Sequence, residues 1–198
     1  MNTEPQALFS VHVRDCACRI GREGIGAIDE LYGLTASRLY RYALTVTQHH
    51  QDAEDVLQAA MVRITIHSKG LIDAIHPWAY LLRVVRNEAL RVAQKQKARR
   101  AREQFTLPEI LECKETVTHD LQGPDSSEIR EFVQAAMKML PAEQLEIVVL
   151  KIWEELTFAE ISQILDESPN TVASRYRYAM RKLNQSLEPV MSESLTDE

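Results

Sequence analysis

The sequence predicts an all-α protein: two small helical domains joined by a flexible linker, the C-terminal one a helix-turn-helix. Three observations support that architecture. Apolar residues recur at intervals of three and four through most of the 198 residues, and no convincing alternation of apolar and polar residues marks a strand. Residues 103–127 break the periodicity with Pro108, Gly123, Pro124, Thr116, Thr118, Ser126 and Ser127 among scattered acids, the composition of a linker. Beyond them, the segment from Leu156 to Leu183 reads as a short helix, a tight turn and a second helix.

Taken in order, residues 1–24 read as a loose N-terminal extension. Residues 1–20 lack a basic start followed by an apolar core, so no secretory signal is expected. A first helix runs from about Ile28 to Val46, with Ile28, Leu31, Tyr32, Leu39, Ala43 and Val46 as its apolar stripe. A second begins near Asp52, where Asp52, Glu54 and Asp55 meet the positive end of the helix dipole. Val56, Ala60 and Ile64 follow at intervals of four, and Ser68-Lys69-Gly70 ends it, leaving a loop from His67 to His76. Pro77 starts a third helix, since proline is tolerated at the first helical position, and this one continues to about Arg102. After the acidic linker at 103–127, periodicity resumes at Ile129, Phe132, Val133 and Ala136. Leu145, Val148, Val149 and Ile152 then have the spacing of a buried stripe. The first domain is thus assigned to 25–102 and the second to 128–187, with an acidic tail at 188–198.

The net charge of −6 would, taken alone, argue against a nucleic-acid partner. Its distribution reverses that inference. Residues 36–102 carry 12 basic and 5 acidic groups, whereas residues 103–150 carry 3 basic and 10 acidic. The local field follows this arrangement and not the total. Lys95, Lys97, Arg99, Arg100 and Arg102 concentrate the positive end. An acidic linker that screens this basic block in the free protein is a further expectation.

Within the C-terminal motif, Thr157-Phe158-Ala159-Glu160 has the form of a capping box. Ile161, Ile164 and Leu165 form an inner face, Asp166-Glu167 breaks the helix, and Ser168-Pro169 restarts it as N-cap and first helical residue. On a wheel of 100° per residue, Val172, Tyr176, Ala179 and Leu183 share one narrow arc. Opposite them stand Asn170, Ser174, Arg177 and Arg181. Residues 169–183 hold four basic groups and no acid. Short polar groups near a helix N-terminus, with arginines for guanine or phosphate, are what a recognition helix needs in the major groove.

At this point a resemblance becomes specific. Leu140-Pro141-Ala142-Glu143-Gln144, followed by LTFAEISQIL and TVASRYRYAMRKL, resembles the promoter-binding domain of bacterial sigma factors. Asp52-Ala53-Glu54-Asp55-Val56-Leu57-Gln58 resembles the signature of the sigma domain that docks on RNA polymerase. The stretch from Pro77 to Asn87 (PWAYLLRVVRN) resembles the promoter-melting helix that follows it. Two such motifs on a short linker are similar to the layout of the extracytoplasmic-function (group IV) sigma factors.

The resemblance implies a transcription initiation factor with three surfaces. Asp52, Glu54, Asp55 and Gln58 would contact core RNA polymerase. The loop from His67 to His76, with Tyr80, Arg83, Arg86, Asn87 and Gln94 on the following helix, would open a minus-ten element and hold a flipped base. Asn170, Thr171, Ser174, Arg175, Arg177, Tyr178 and Arg181 would read a minus-thirty-five element. Promoter DNA, core polymerase and an anti-sigma factor are the implied partners. Three residues depart from the family pattern. Glu155 and Asp166 stand where glycine is common, and Ala173 where a basic residue often stands. They support an alternative in which the chain only sequesters a partner. A stand-alone helix-turn-helix regulator is the other alternative, although it has no use for a polymerase-docking helix.

Other chemistry has little support. No apolar run approaches the ~20 residues of a membrane span. Three unevenly spaced cysteines argue against a disulfide framework and fit a reducing cytoplasm. His12, Cys16 and Cys18 lack an evident fourth ligand for a structural zinc, with Cys113 far off in the linker, and read as exposed residues. The cluster His49, His50, Asp52, Glu54 and Asp55 has the residue types of a hydrolytic metal site, but capping and dipole complementarity already account for its acids. No nucleophile elbow, phosphate loop or zinc-protease helix is present, so no enzyme, metal or cofactor is expected.

Overall fold

A computed structural model describes residues 3–103 and 127–194, all but a few of them helical. The linker at 103–127 and the extreme tail therefore lie almost wholly outside the described residues. The chain divides into two compact units, Met1–Val117 and Thr118–Glu198.

The N-terminal unit comprises α1 (Thr3–Glu23), α2 (Ile25–Thr47), α3 (His50–Ile66), the short α4 (Ser68–Ile72) and α5 (Pro77–Glu103). Helix α2 is its centre and packs on α1, α3 and α5. Leu31, Leu39, Tyr42 and Ala43 of that helix are buried, each large apolar side chain contributing about 1.5–3 kcal/mol of transfer free energy. From α3 come Ala53, Val56, Leu57, Ala60, Met61 and Ile64. Helix α5 adds Trp78, Leu81, Leu82, Val85 and Ala89. Trp78 is a core residue here: Phe9 of α1 meets it edge-on at 4.8 Å between ring centroids, and the Arg38 guanidinium lies 4.0 Å from the Phe9 ring centre.

Two expectations are corrected in this unit. The first 24 residues are not a loose extension, because α1 packs on α2, α4 and α5. Val13, Cys16, Ala17 and Ile20 are buried, and their spacing of three, four and seven is itself an amphipathic stripe. Cysteine acts there as a small apolar residue. Burial, reinforced by nearby Glu30 and Asp15, pushes the Cys16 thiol pKa up. Cys18 is exposed. Ser68-Lys69-Gly70, read as a helix stop, instead lies inside α4, so the stretch between α3 and α5 is partly ordered.

Gly24 alone joins α1 to α2, at φ 69° and ψ −132°, a region open in practice only to glycine. Gln48, at φ 56°, ends α2. His49 then caps α3, its ring nitrogen accepting from the Asp52 amide.

The C-terminal unit comprises α6 (Ser127–Lys138), α7 (Ala142–Ile152), α8 (Phe158–Leu165) and α9 (Pro169–Ser194). Helix α9 packs on the other three. The expected stripe of α7 is also revised. Ile147, Val148, Val149 and Leu150 are all fully buried, while Leu145 is half-buried and Ile152 exposed. The reason is that α7 packs on both α8 and α9, so four successive residues, spanning every direction around the axis, find partners.

Candidate nucleic-acid interface

The helix-turn-helix forms from local hydrogen bonds. Thr157 and Glu160 close a capping box at the start of α8. The Glu160 amide donates to the Thr157 hydroxyl at 3.2 Å, and the Thr157 amide donates to Glu160 Oε2 at 2.8 Å. Asp166 ends α8 in the left-handed conformation at φ 57°, its amide returning to the Ser162 carbonyl. Ser168 then caps α9, accepting from the Thr171 amide at 3.1 Å.

Two side chains of α9, Tyr176 and Arg175, hold it against its neighbours. Phe158 and Tyr176 pack edge-on at 5.6 Å. Arg175 donates to Glu167 of the turn at 2.6 Å and pairs with Glu143 of α7 at 3.2 Å. The sequence-predicted set on α9 is thereby divided. Asn170, Arg177, Tyr178 and Arg181 are exposed. Ser174 is half-buried: its hydroxyl donates to the Asn170 carbonyl at 2.8 Å and accepts from Arg177 at 3.3 Å. The Arg181 guanidinium lies 5.6 Å from the Tyr178 ring centre. Thr171 and Arg175 are engaged within the unit, in the cap and the ion pairs respectively. The pairing of Glu143 with Arg175 has no signal in the sequence, because it depends on the packing of α7 on α9.

On α5, Arg83, Asn87 and Gln94 are exposed and share one face, while Tyr80 and Arg86 are half-buried. The Tyr80 ring lies over Gly70 so closely that a β-carbon there would overlap its hydroxyl oxygen. Next to Asn87, Glu88 is buried and accepts from Arg63 of α3 at 2.9 Å and from Arg91 at 2.8 Å. This bridge between α3 and α5 was also not legible in the sequence.

On α3, Glu54, Asp55 and Gln58 are exposed, whereas Asp52 is half-buried beside the capping His49. Val62 and Ile66 continue the row from Glu54 and Gln58 at intervals of four and are exposed. Apolar residues lying off the buried Val56–Ala60–Ile64 stripe are the signal that points to them. His12 is exposed while Cys16 faces the core, so the H-x3-C-x-C set does not converge. Among the described residues no group of three or more metal-ligating side chains gathers, and no helix is long and apolar enough to cross a membrane.

The sigma-70 region 2 family matches residues 31–99, and sigma-70 region 4 matches residues 131–183. A sigma-E factor of Streptomyces antibioticus is 32% identical over 140 residues, covering 69% of this chain and 71% of that protein. The ECF RNA polymerase sigma factor SigM of Bacillus subtilis is 27% identical over 173 residues, covering 86% of this chain and 99% of its own. The chain belongs to the extracytoplasmic-function sigma factors. Its fold is also that of the sigma factor RpoE of Bartonella quintana, solved in complex with the anti-sigma factor NepR. That likeness has a TM-score of 0.63 and 20% identity, over 81% of this sigma factor and 96% of that chain.

As a sigma factor the protein directs RNA polymerase to promoters, and its region 4 binds DNA. A stand-alone operator-binding regulator is not favoured, because region 2 is present alongside region 4. The family is one of non-enzymatic transcription initiation factors.

Proposed function

We propose that the two units divide promoter recognition between them, region 4 reading a minus-thirty-five element and region 2 opening a minus-ten element. The assignment adopts 25–102 and 128–187 as the working domains, with α1 added to the first. The observation that carries it is the face of α9. Asn170, Ser174, Arg177, Tyr178 and Arg181 lie together on a helix whose first 15 residues hold no acid, a surface matched to base edges and phosphates. Thr171 and Arg175 hold that face in place from within the unit.

In region 2, Tyr80, Arg83, Arg86, Asn87 and Gln94 supply a face with two cations and no acid. A separated strand is bound by such a combination of positive charge, amide groups and an aromatic ring. Asp52, Glu54, Asp55 and Gln58 dock on core polymerase, with exposed Val62 and Ile66 adding apolar area on the same row. Melting draws on binding free energy, with no covalent step by this chain. The protein works in the cytoplasm, where an anti-sigma factor holds it inactive, as NepR is bound to the Bartonella protein.

Transcription in vitro with purified core polymerase on genomic fragments tests this reading. Promoter-specific transcripts are expected only when the chain is added. With Asn87→Ala, opening scored by permanganate reactivity of unpaired thymines should fall about tenfold, equivalent to losing one good base contact, while binding to the upstream duplex stays at the wild-type level. Absence of both co-purification with core and specific initiation refutes the proposal.

A further inference from the structure

The segment between α3 and α5 is fastened at three points, and two of the fasteners come from α1. Tyr80 covers Gly70. Ile72 packs on Gly21 of α1, where an added β-carbon would lie 3.4 Å from its Cδ1. The Arg14 guanidinium of α1 donates a hydrogen bond to the Ile75 carbonyl. Leu71 is fully buried beneath them. Between and beyond these points the side chains project outward: Asp73 and His76 are exposed, and Ile75 is 77% exposed. Helix α1 lies outside the matched region 2, which begins at residue 31.

We propose that α1 is a brace that presets residues 73–76 for capture of unpaired promoter bases, with Arg14 as its positioning residue. A segment whose backbone is already held does not lose further conformational freedom when a strand docks on it, so more of the contact free energy appears as affinity. Arg14 suits the role because its planar guanidinium reaches a main-chain carbonyl, which constrains the backbone at Ile75 and leaves the Ile75 side chain free to meet a base. An apolar side chain standing clear of a fixed backbone can fill the place a base leaves when it departs the stack. This inference rests on the promoter-opening reading given above, and its test separates the two.

The measurement is the affinity of holoenzyme for a fluorescein-labelled single strand, the non-template minus-ten segment of a promoter that the holoenzyme transcribes, across a salt series. Arg14→Ala should weaken this binding about fivefold, the worth of one net hydrogen bond, with the slope against salt unchanged. Upstream duplex binding should be unchanged, and the melting temperature should fall by no more than the few degrees that one hydrogen bond contributes. Arg14→Gln keeps an N–H donor and loses the charge, so it should bind more tightly than Arg14→Ala. A salt slope reduced by about 0.7 in both variants would mean that Arg14 pairs with a phosphate, and the brace would be wrong. Arg14→Gln no better than Arg14→Ala, or a parallel loss of duplex binding and melting temperature, also overturns it. Wild-type affinity in Arg14→Ala alongside weak binding in Asn87→Ala rejects the brace and keeps the opening face. Wild-type affinity in both rejects the opening face, and the brace with it.

Discussion

Glu155 and Asp166 both hold left-handed backbone, at φ 52° and 57°, on either side of α8. The conformation costs an L-residue on the order of 1–2 kcal/mol, least for Asp or Asn. Glycine enters this region most freely, so the departures noted from the resemblance change the residue type while the backbone at both positions stays left-handed. The turn keeps its shape because hydrogen bonds around it hold, among them Leu156 N–H to the Leu150 carbonyl at 3.1 Å and Glu167 N–H to the Ser162 carbonyl at 3.1 Å. Glu155→Gly is therefore expected to stabilise the C-terminal unit by about 1 kcal/mol, read as a higher urea midpoint with unchanged slope. Asp166→Gly should gain less, since Asp tolerates this region. No gain from Glu155→Gly would mean that the Glu155 side chain offsets its own backbone strain. These two positions were legible in the sequence because a turn between two capped helices has few backbone solutions. Gly24 was not, because the stripe before it, Val13, Cys16, Ala17 and Ile20, has helical spacing but is too short to fix where that helix ends.

At the scale of elements, α9 carries arginines of two kinds. Arg175 ties the helix to the turn and to α7 through Glu167 and Glu143, while Arg177 and Arg181 lie exposed. The sequence placed all three in one cationic set, because a helical wheel records direction from the axis and not what stands opposite. Arg175→Ala should lower the stability of the C-terminal unit by about 1 kcal/mol. The pairs lie partly in solvent, Arg175 keeping 30% of its side-chain exposure, so the figure stays near the surface range. Its effect on duplex binding should vanish when the measurement is made well below the melting temperature. Arg177→Ala should leave urea unfolding unchanged and weaken duplex binding at every temperature, with a salt slope smaller by about one if it meets a phosphate. Identical behaviour of the two variants in both assays would remove this distinction. The capping box, the Ser168 cap and the core face of α9 were all legible, since each depends on residues within one turn of each other. The ion pairs were not, because Glu143 is far from Arg175 in sequence.

For the whole molecule, the largest revision concerns α1. Removal of residues 1–23 would uncover Trp78, against which Phe9 packs, and delete the buried row Val13, Cys16, Ala17 and Ile20. Burial of four such side chains outweighs any surface effect. A chain beginning at residue 25 should lose several degrees of melting temperature in its N-terminal unit and bind a dye for exposed apolar surface, with α6 to α9 unaffected. An unchanged melting temperature would show that α1 contributes no stability. Any fragment used to ask whether the acidic linker screens the basic block must accordingly start at the N-terminus and not at residue 25.

The sequence by itself determined the helical class, the two-unit layout, the cationic face of α9 and the family. All of these follow from short-range spacing or from motifs of a few residues, which need no knowledge of distant neighbours. Only the tertiary structure decided that α1 belongs to the first unit, that four successive residues of α7 are buried, and that Arg175 pairs with acids of its own unit. It also decided that Arg14 grips the Ile75 carbonyl. In each case the deciding partner lies elsewhere in the chain. A small or long side chain has no burial or pairing of its own until the fold brings that partner to it.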